Sequence, residues 1–352
     1  MGDTDSLDPS DFVARRAAAR GRGVSTPPPA PRHGQPPAQR HGIPVEHDGI
    51  PVEHDGTPVG RDGVARGVPD PARRAFAALH AVDTPPGARA RTDRGLFDPT
   101  TITWRLHCDP LMGLAGLRAL LLHALHPLTM AAVDAHNRQH WDPWLRLART
   151  AEYVGVTTYG TAAEAMLYGS RLRAVHARIY GTTRQGRPYT AEDSNLLAWV
   201  HACLVASFLE IVTRGGLPLS PQEQDAYIGE QVRAAILVGL EPDEVPHDRA
   251  SLVAYFKQLR PALAVTPPAQ AAALAVVGEM PRRRPGAPVP DRPVWAGVAG
   301  LAFASLPPWA RRLYALPELT GAAGLGEAAT TVALRELRTS MKNVQSGTDL
   351  PG

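Results

Sequence analysis

Between Leu111 and Leu125 the chain reads Leu-Met-Gly-Leu-Ala-Gly-Leu-Arg-Ala-Leu-Leu-Leu-His-Ala-Leu, which puts leucine, alanine and glycine on every face of a helix. A helix without a polar face cannot lie on a surface; other helices must wrap it. Gly113, Ala115, Gly116 and Ala119 leave room for a neighbour to approach closely. Asp109-Pro110 predicts the start of this helix, with proline at its first position, and His126-Pro127 predicts a break or kink. Strand alternation is nowhere convincing, so the wrapping elements are helices and the fold class is all-α. Helical runs are expected over Leu128–His140, Leu145–Thr158, Thr161–Tyr180, Asn195–Thr213, Pro221–Leu240, Asp248–Leu263, Pro268–Val277, Val294–Leu306, Pro308–Tyr314 and Glu327–Lys342. In the run from Thr161, Ala165, Leu167, Leu172, Val175, His176 and Ile179 fall close to one face, and Gly181 is expected to close it. Trp141–Trp144 reads as a turn and Gly186-Arg-Pro-Tyr189 as a hairpin-like link. The polar stretch Thr190–Ser194 then opens the next helix.

Residues 1–70 read differently. They hold eleven prolines and almost no large apolar side chain after Phe12, too little burial to offset the entropy of ordering, and a disordered tail is expected. Inside it, His41-Gly-Ile-Pro-Val-Glu-His47 recurs with a period of seven, drifting through Asp48–His54 and Asp55–Arg61. Proline and glycine in each unit exclude a coiled coil. From Pro71, with a first helix to His80 and a breaker at Thr84–Gly87, residues 71–345 are expected to form one all-helical domain.

The formal charge of +3, with Lys257 and Lys342 the only lysines, is too weak to indicate a nucleic-acid partner. Cys108 and Cys203 lie in apolar sequence without CxxC spacing and read as reduced, buried residues of a cytoplasmic protein. No stretch of uninterrupted apolar residues suggests an integral membrane span, although Val294–Leu316 is apolar enough to touch a membrane surface.

Seven of the thirteen histidines lie between Trp104 and Thr213: His107, His123, His126, His136, His140, His176 and His201. His136 and His140 have the spacing of helical zinc ligands but lack the HExxH glutamate. Glu244-Val-Pro-His247 is the sole Glu-x-x-His and sits in a proline loop, which speaks against a di-iron bundle. No GxSxG, Walker loop or dinucleotide fingerprint is present. His176 remains, flanked by Arg173 and Arg178. Haem iron takes a neutral imidazole and arginines pair with its propionates, while the plainer reading of one histidine on an apolar face is a hydrogen-bonded core residue.

Several segments together resemble the MpaB-type oxygenases, which share a catalytic domain with latex clearing protein, the rubber oxygenase. They are Arg118-Ala-Leu-Leu-Leu-His-Ala-Leu-His126-Pro127, Val133-Asp-Ala-His136, Arg146-Leu-Ala-Arg149-Thr150, Tyr159-Gly-Thr-Ala-Ala-Glu-Ala165, Val175-His176-Ala-Arg-Ile-Tyr-Gly181, Gly186-Arg-Pro-Tyr189-Thr-Ala-Glu-Asp193 and Trp199-Val-His201, with a weaker echo in Leu306-Pro-Pro-Trp-Ala-Arg311. The resemblance implies a globin-like helical core holding one haem b, with His176 as iron ligand three residues after Arg173. Arg146 and Thr150 match an Arg-x-x-x-Thr pair on the oxygen side. Two departures stand out. Arg149 occupies the place of a lysine that can cap the iron, and a guanidinium cannot lose its charge to do so. Thr129–Val133 lacks the glutamate that serves the rubber oxygenase as a proposed base, and Asp134 is the nearest carboxylate.

The resulting expectation is a haem-dependent oxygenase acting with dioxygen on a small apolar, unsaturated or isoprenoid-like substrate. His176 ligates iron, Arg173 and Arg178 orient the haem, and Arg146 with Thr150 shape the oxygen site. Arg149 reads either as a propionate partner or as an ion-paired helix residue. His126 reads either as a helix cap or as a residue at the haem edge. The alternative is a non-catalytic helical protein that binds haem or a lipid.

Overall fold

The structure, a computed structural model, describes residues 95–136, 143–278, 292–315 and 326–346. The expected N-terminal tail with its repeat, the helix over 71–80 and His140 lie outside these residues, as does the side chain of His136. Twelve α-helices occur among the described residues, with one two-stranded sheet. They are α1 (Ile102–His107), α2 (Met112–His123), α3 (Pro127–His136), α4 (Pro143–Tyr159), α5 (Ala162–His176), β1 (Tyr180–Thr182), β2 (Pro188–Thr190), α6 (Ser194–Arg214), α7 (Pro221–Val238), α8 (Arg249–Leu259), α9 (Pro267–Gly278), α10 (Arg292–Ala304), α11 (Pro308–Tyr314) and α12 (Glu327–Ser346). The all-helical expectation holds apart from the short hairpin.

The wrapped helix is α2. Every residue from Gly113 to His123 is buried, with α6 along one side and α4 and α10 on others. Leu114, Leu117 and Leu121 join Trp199, Phe208, Ile211 and Phe303 in the main core, each buried leucine contributing about 1.5–3 kcal/mol. A Cβ on Gly116 would come within 2.8 Å of Leu147 Cδ1, so the missing side chain sets how near α4 lies. The helix starts at Met112 and not at Pro110, because the Asp109 carboxylate accepts the Leu111 N–H at 3.0 Å and holds a turn there. The other Asp109 oxygen meets Arg338 of α12 at 2.7 Å.

At its far end α2 stops without glycine. The last carbonyls of α2 and of the turn after it find partners from elsewhere: Tyr314 OH donates to Leu121 O at 2.5 Å, Trp199 Nε1 to His123 O at 3.2 Å and Ala264 N to Leu125 O at 2.9 Å. Groups that a continuing helix would have satisfied are thus bonded. The chain then turns by 100° into α3, which begins at Pro127 where proline needs no N–H partner.

Two expectations around α5 require correction. The helix ends at His176 and not at Tyr180. Arg178 N and Ile179 N turn back to Val175 O and His176 O at 3.1 and 2.9 Å, after which the chain enters β1, paired antiparallel with β2 in the register Tyr180↔Thr190, Gly181↔Tyr189 and Thr182↔Pro188. Gly181 is therefore a strand residue. A Cβ there would meet the Tyr189 hydroxyl at 2.6 Å, so its size, not a helix stop, is what the fold uses. The inward face of α5 is also narrower than its apolar pattern suggested. Ala165 and Gly169 are buried, while Leu167 and Val175 are 53% and 47% exposed. Gly169 lets α5 cross close to the α7 backbone at Leu237.

Two smaller points differ as well. Cys108 is exposed, whereas Cys203 is buried, and both thiols are free. Although no membrane span was expected, α6 is long and apolar enough to cross a bilayer by length and composition. Most of it is buried against the core helices, which accounts for its apolarity.

Candidate functional site

Two of the central histidines, His123 and His176, lie within the field of one cation. His176 closes α5, half-buried, with Nδ1 enclosed and without a hydrogen-bond partner. Burial first, and the Arg146 guanidinium second, hold its pKa below the ordinary imidazole value. His123 closes α2, and its pKa falls to about 3 through burial, then through the same Arg146. Its Nε2 lies 3.0 Å from Val200 O. A carbonyl only accepts, so Nε2 carries the hydrogen and Nδ1 is a bare acceptor, again enclosed and unpartnered. Arg146 of α4 is half-buried, yet burial pulls its pKa to about 10. Among the described residues it forms no ion pair, and its charge is felt by His123, His176 and Cys203. One cation without a counter-ion thus stands where α2, α4, α5 and α6 converge.

The remaining expected site residues are spread more widely. Arg173 donates through its guanidinium to Leu237 O on α7, fastening α5 to its neighbour. Arg178 lies beyond the end of α5 and is exposed, and Arg149 is exposed on α4 with its charge reaching Tyr168. The Thr150 hydroxyl donates to Arg146 O at 2.9 Å, one turn back along α4. Its proton is committed, and lone pairs are what it can offer a ligand. His126 is buried and accepts the Thr129 N–H on Nδ1 at 3.5 Å, the geometry of a cap on α3. Its ring lies 6.1 Å from Trp199. Of the expected residues, then, His176 and Arg146 share one electrostatic neighbourhood.

His107 shows what a structural histidine looks like in the same protein. Its two nitrogens lie 2.7 Å from Thr158 Oγ1 and 3.1 Å from Tyr227 OH, and burial takes its pKa to about 3. His201 is buried with Nε2 unpartnered and its pKa at about 4 for the same reason. Trp199 is fully buried core. Sequence reasoning named His123 without giving it a role; its place among leucines on α2 was the available signal. The enclosed hydroxyl of Thr129, also unpartnered, carried no sequence signal.

Asp134 is exposed on α3. No set of three or more His, Cys, Asp or Glu side chains capable of holding a bare metal ion occurs among the described residues. Haem makes a different demand, since its ring supplies four nitrogens and asks the protein for one neutral imidazole and for cations near its carboxylates. His176, kept neutral and with an unpartnered ring nitrogen, meets the first demand, and the exposed Arg178 just beyond it is a cation that could meet the second. Neither a curated protein nor a solved structure matches the chain. Residues 104–338 match the family described as ER-bound oxygenase mpaB/B'/Rubber oxygenase, catalytic domain. That span takes in every residue assembled above and about two thirds of the sequence, and the chain belongs to this oxygenase family.

Proposed function

We propose that this oxygenase depends on haem b, which the His176 imidazole would hold in a globin-like helical pocket, and that it acts with dioxygen on a small apolar substrate such as an unsaturated or isoprenoid-like carbon chain. The observation that carries the reading is a half-buried, neutral His176 with an enclosed, unpartnered nitrogen, within the field of Arg146, which forms no ion pair among the described residues. When bound, the haem supplies the dioxygen chemistry, for which the family's precedent is oxidative cleavage of a carbon–carbon double bond.

The chain's own residues position, shield and polarise. Burial keeps the His176 imidazole unprotonated and so available as a ligand. Arg146 presents a positive charge in a poorly solvated setting, where it acts more strongly on a polarised or anionic group than it would in water. Thr150 offers hydroxyl lone pairs beside it. The leucines of α2 and the ring of Trp199 exclude water. Arg178, exposed beyond the end of α5, would be the partner for a propionate. Arg173 supports the site by anchoring α5 through Leu237, Arg149 reaches only the outer rim, and His126 fixes the start of α3. A cytoplasmic location agrees with the two free thiols.

An optical spectrum tests the assignment. Protein reconstituted with haem is expected to show a Soret band that His176→Ala abolishes; an intact band in that variant excludes His176 as the ligand. Oxygen uptake with candidate alkenes then separates an enzyme from a helical haem- or lipid-binding protein. Arg146→Leu is expected to retain haem and to lower uptake by about a hundredfold, the scale of losing one preorganised charge at a reacting centre.

A further inference from the structure

A second region combines charge and apolar surface in a way the oxygenase reading does not use. The C-terminal half of α8 and the whole of α11 meet through their aromatic rings. Phe256 lies 6.2 Å from Trp309, and the Arg260 guanidinium sits 5.2 Å above the Trp309 ring. The same two segments carry Lys257, Arg260 and Arg312, which are exposed, and Arg311, which is half-buried, and the side chains of all four form no ion pair among the described residues. Neither Arg249–Leu263 nor Ser305–Ala315 contains an acidic residue. The apolar side chains between the cations are left open, with Val253 68% and Leu313 36% exposed and Trp309 half-buried. In Val253 and Lys257 the spacing of four keeps one outward stripe of α8 in register.

We propose that this α8–α11 face docks on an anionic membrane surface, with Trp309 at the headgroup level and the four cations over the lipid phosphates and carboxylates. A large amphipathic ring flanked by unpaired basic residues suits an interface that is apolar on one side and negatively charged on the other. An acidic protein partner would use the cations but gives no reason for open valine and leucine beside them. The rings continue inward: Phe256 lies 5.6 Å from Trp199, and Trp199 lies 6.1 Å from His126. The docking face is thereby the outer end of a line of aromatic packing that reaches α2 and α3. For an apolar substrate dissolved in the bilayer, docking there places its reservoir against the protein.

The test uses the full chain without added haem, so that it stands or falls apart from the oxygenase reading. Flotation with vesicles of phosphatidylcholine containing phosphatidylserine is expected to carry the protein upward at low salt and to release it at high salt. Each cation near such a surface strengthens binding about fivefold, so Lys257→Glu with Arg312→Glu is expected to weaken it by at least about 25-fold. Brominated lipid is expected to quench the wild type more than Trp309→Phe, which keeps a ring on Phe256. The charge-matched control is Arg171→Glu with Arg184→Glu, on exposed residues of α5 and the hairpin turn, and it is expected to leave binding within about twofold because those charges lie off the docking face. The proposal is overturned if the wild type stays with the soluble fraction, if the control pair weakens binding as much as the α8–α11 pair, or if soluble polyglutamate competes as well as the vesicles do.

Discussion

His107 and His176 are both histidines at the last position of a helix in one helical protein, and their surroundings are opposite. At His107 both ring nitrogens are matched by hydroxyls, Thr158 at 2.7 Å and Tyr227 at 3.1 Å. Its neighbourhood on α1 is closed further by Glu230, whose carboxylate takes the N–H groups of Ile102 and Thr103 at 3.2 and 2.7 Å, and by Gln231 on the Thr103 hydroxyl at 2.9 Å. At His176 a buried nitrogen has no partner and the charge that acts on the ring is Arg146, a cation with no ion pair among the described residues. A chain that satisfies its polar groups so fully at one end of the core leaves them open at the other for a reason beyond stability, since an enclosed unpaired nitrogen costs about 1–3 kcal/mol.

Acid is the broadest way to break the comparison, because it acts on the buried histidines whatever their bonding. His107 and His123 are held at about 3 and His201 at about 4, all chiefly by burial, against an ordinary value of 6.5. Below 6.5 the unfolded chain binds protons that the folded chain refuses, so stability falls as pH is lowered and the loss continues down to those depressed values. Three such groups lose about 4 kcal/mol of stability per pH unit once well below 6.5. Circular dichroism is therefore expected to show cooperative unfolding between about pH 6 and pH 4. A helical signal unchanged at pH 3 would mean that these imidazoles accept protons while folded.

The next effect belongs to the closed end alone. Asp109 and Arg338 form an ion pair at 2.7 Å whose side chains are 2% and 11% exposed, joining α12 to the α1–α2 turn. Removing one partner strands a buried charge, and Arg338→Ala is expected to lower the unfolding free energy by about 3–5 kcal/mol in urea titration. Arg214 and Glu210 form a pair near the same helix at 3.3 Å, with Glu210 43% exposed, and Glu210→Ala is expected to change stability by about 0.5 kcal/mol or less.

The sequence disclosed these two ends unequally, and the reasons are physical. The apolar circumference of Leu111–Leu125 and the break at Pro127 are local properties of composition and of proline's missing donor, and both are found where expected. The hairpin at Gly186 and the polar start before α6, where Asp193 accepts the Asn195 N–H at 2.9 Å, are local as well. Where α5 stops is not local. It is decided by β1 finding β2, and the periodic pattern that runs on to Ile179 contains no trace of that pairing. The face of α5 is hidden for a related reason, since Leu167 and Val175 look like core in sequence while the contact with α7 is made by Ala165, Gly169 and the guanidinium of Arg173. In the candidate site, His176 and Arg146 were legible through family resemblance. The bare acceptor of His123 was not, because it depends on a carbonyl of α6 seventy-seven positions away.

His107→Phe sharpens the contrast at the level of one ring. The substitution preserves the shape of the buried ring and strands the hydroxyls of Thr158 and Tyr227, for an expected loss of about 2–3 kcal/mol. The edge-to-face contacts with Phe208 and Tyr227, at 5.5 and 5.8 Å, remain available to the phenyl ring and keep the loss from growing.

At His176 the expected change in stability is as small as at Glu210. Leucine there removes an enclosed nitrogen that has no hydrogen bond to lose, and it removes an imidazole whose protonation Arg146 opposes. The half-buried position asks for little packing. His176→Leu in the haem-free protein is thus expected to leave the unfolding free energy within about 0.5 kcal/mol of the wild type, or to raise it. The same variant is expected to lose the Soret band completely on reconstitution. Stability retained with haem lost marks a residue kept for its ligand. A loss matching that of His107→Phe would instead make His176 a second structural histidine, and the difference between the two ends of the core would disappear.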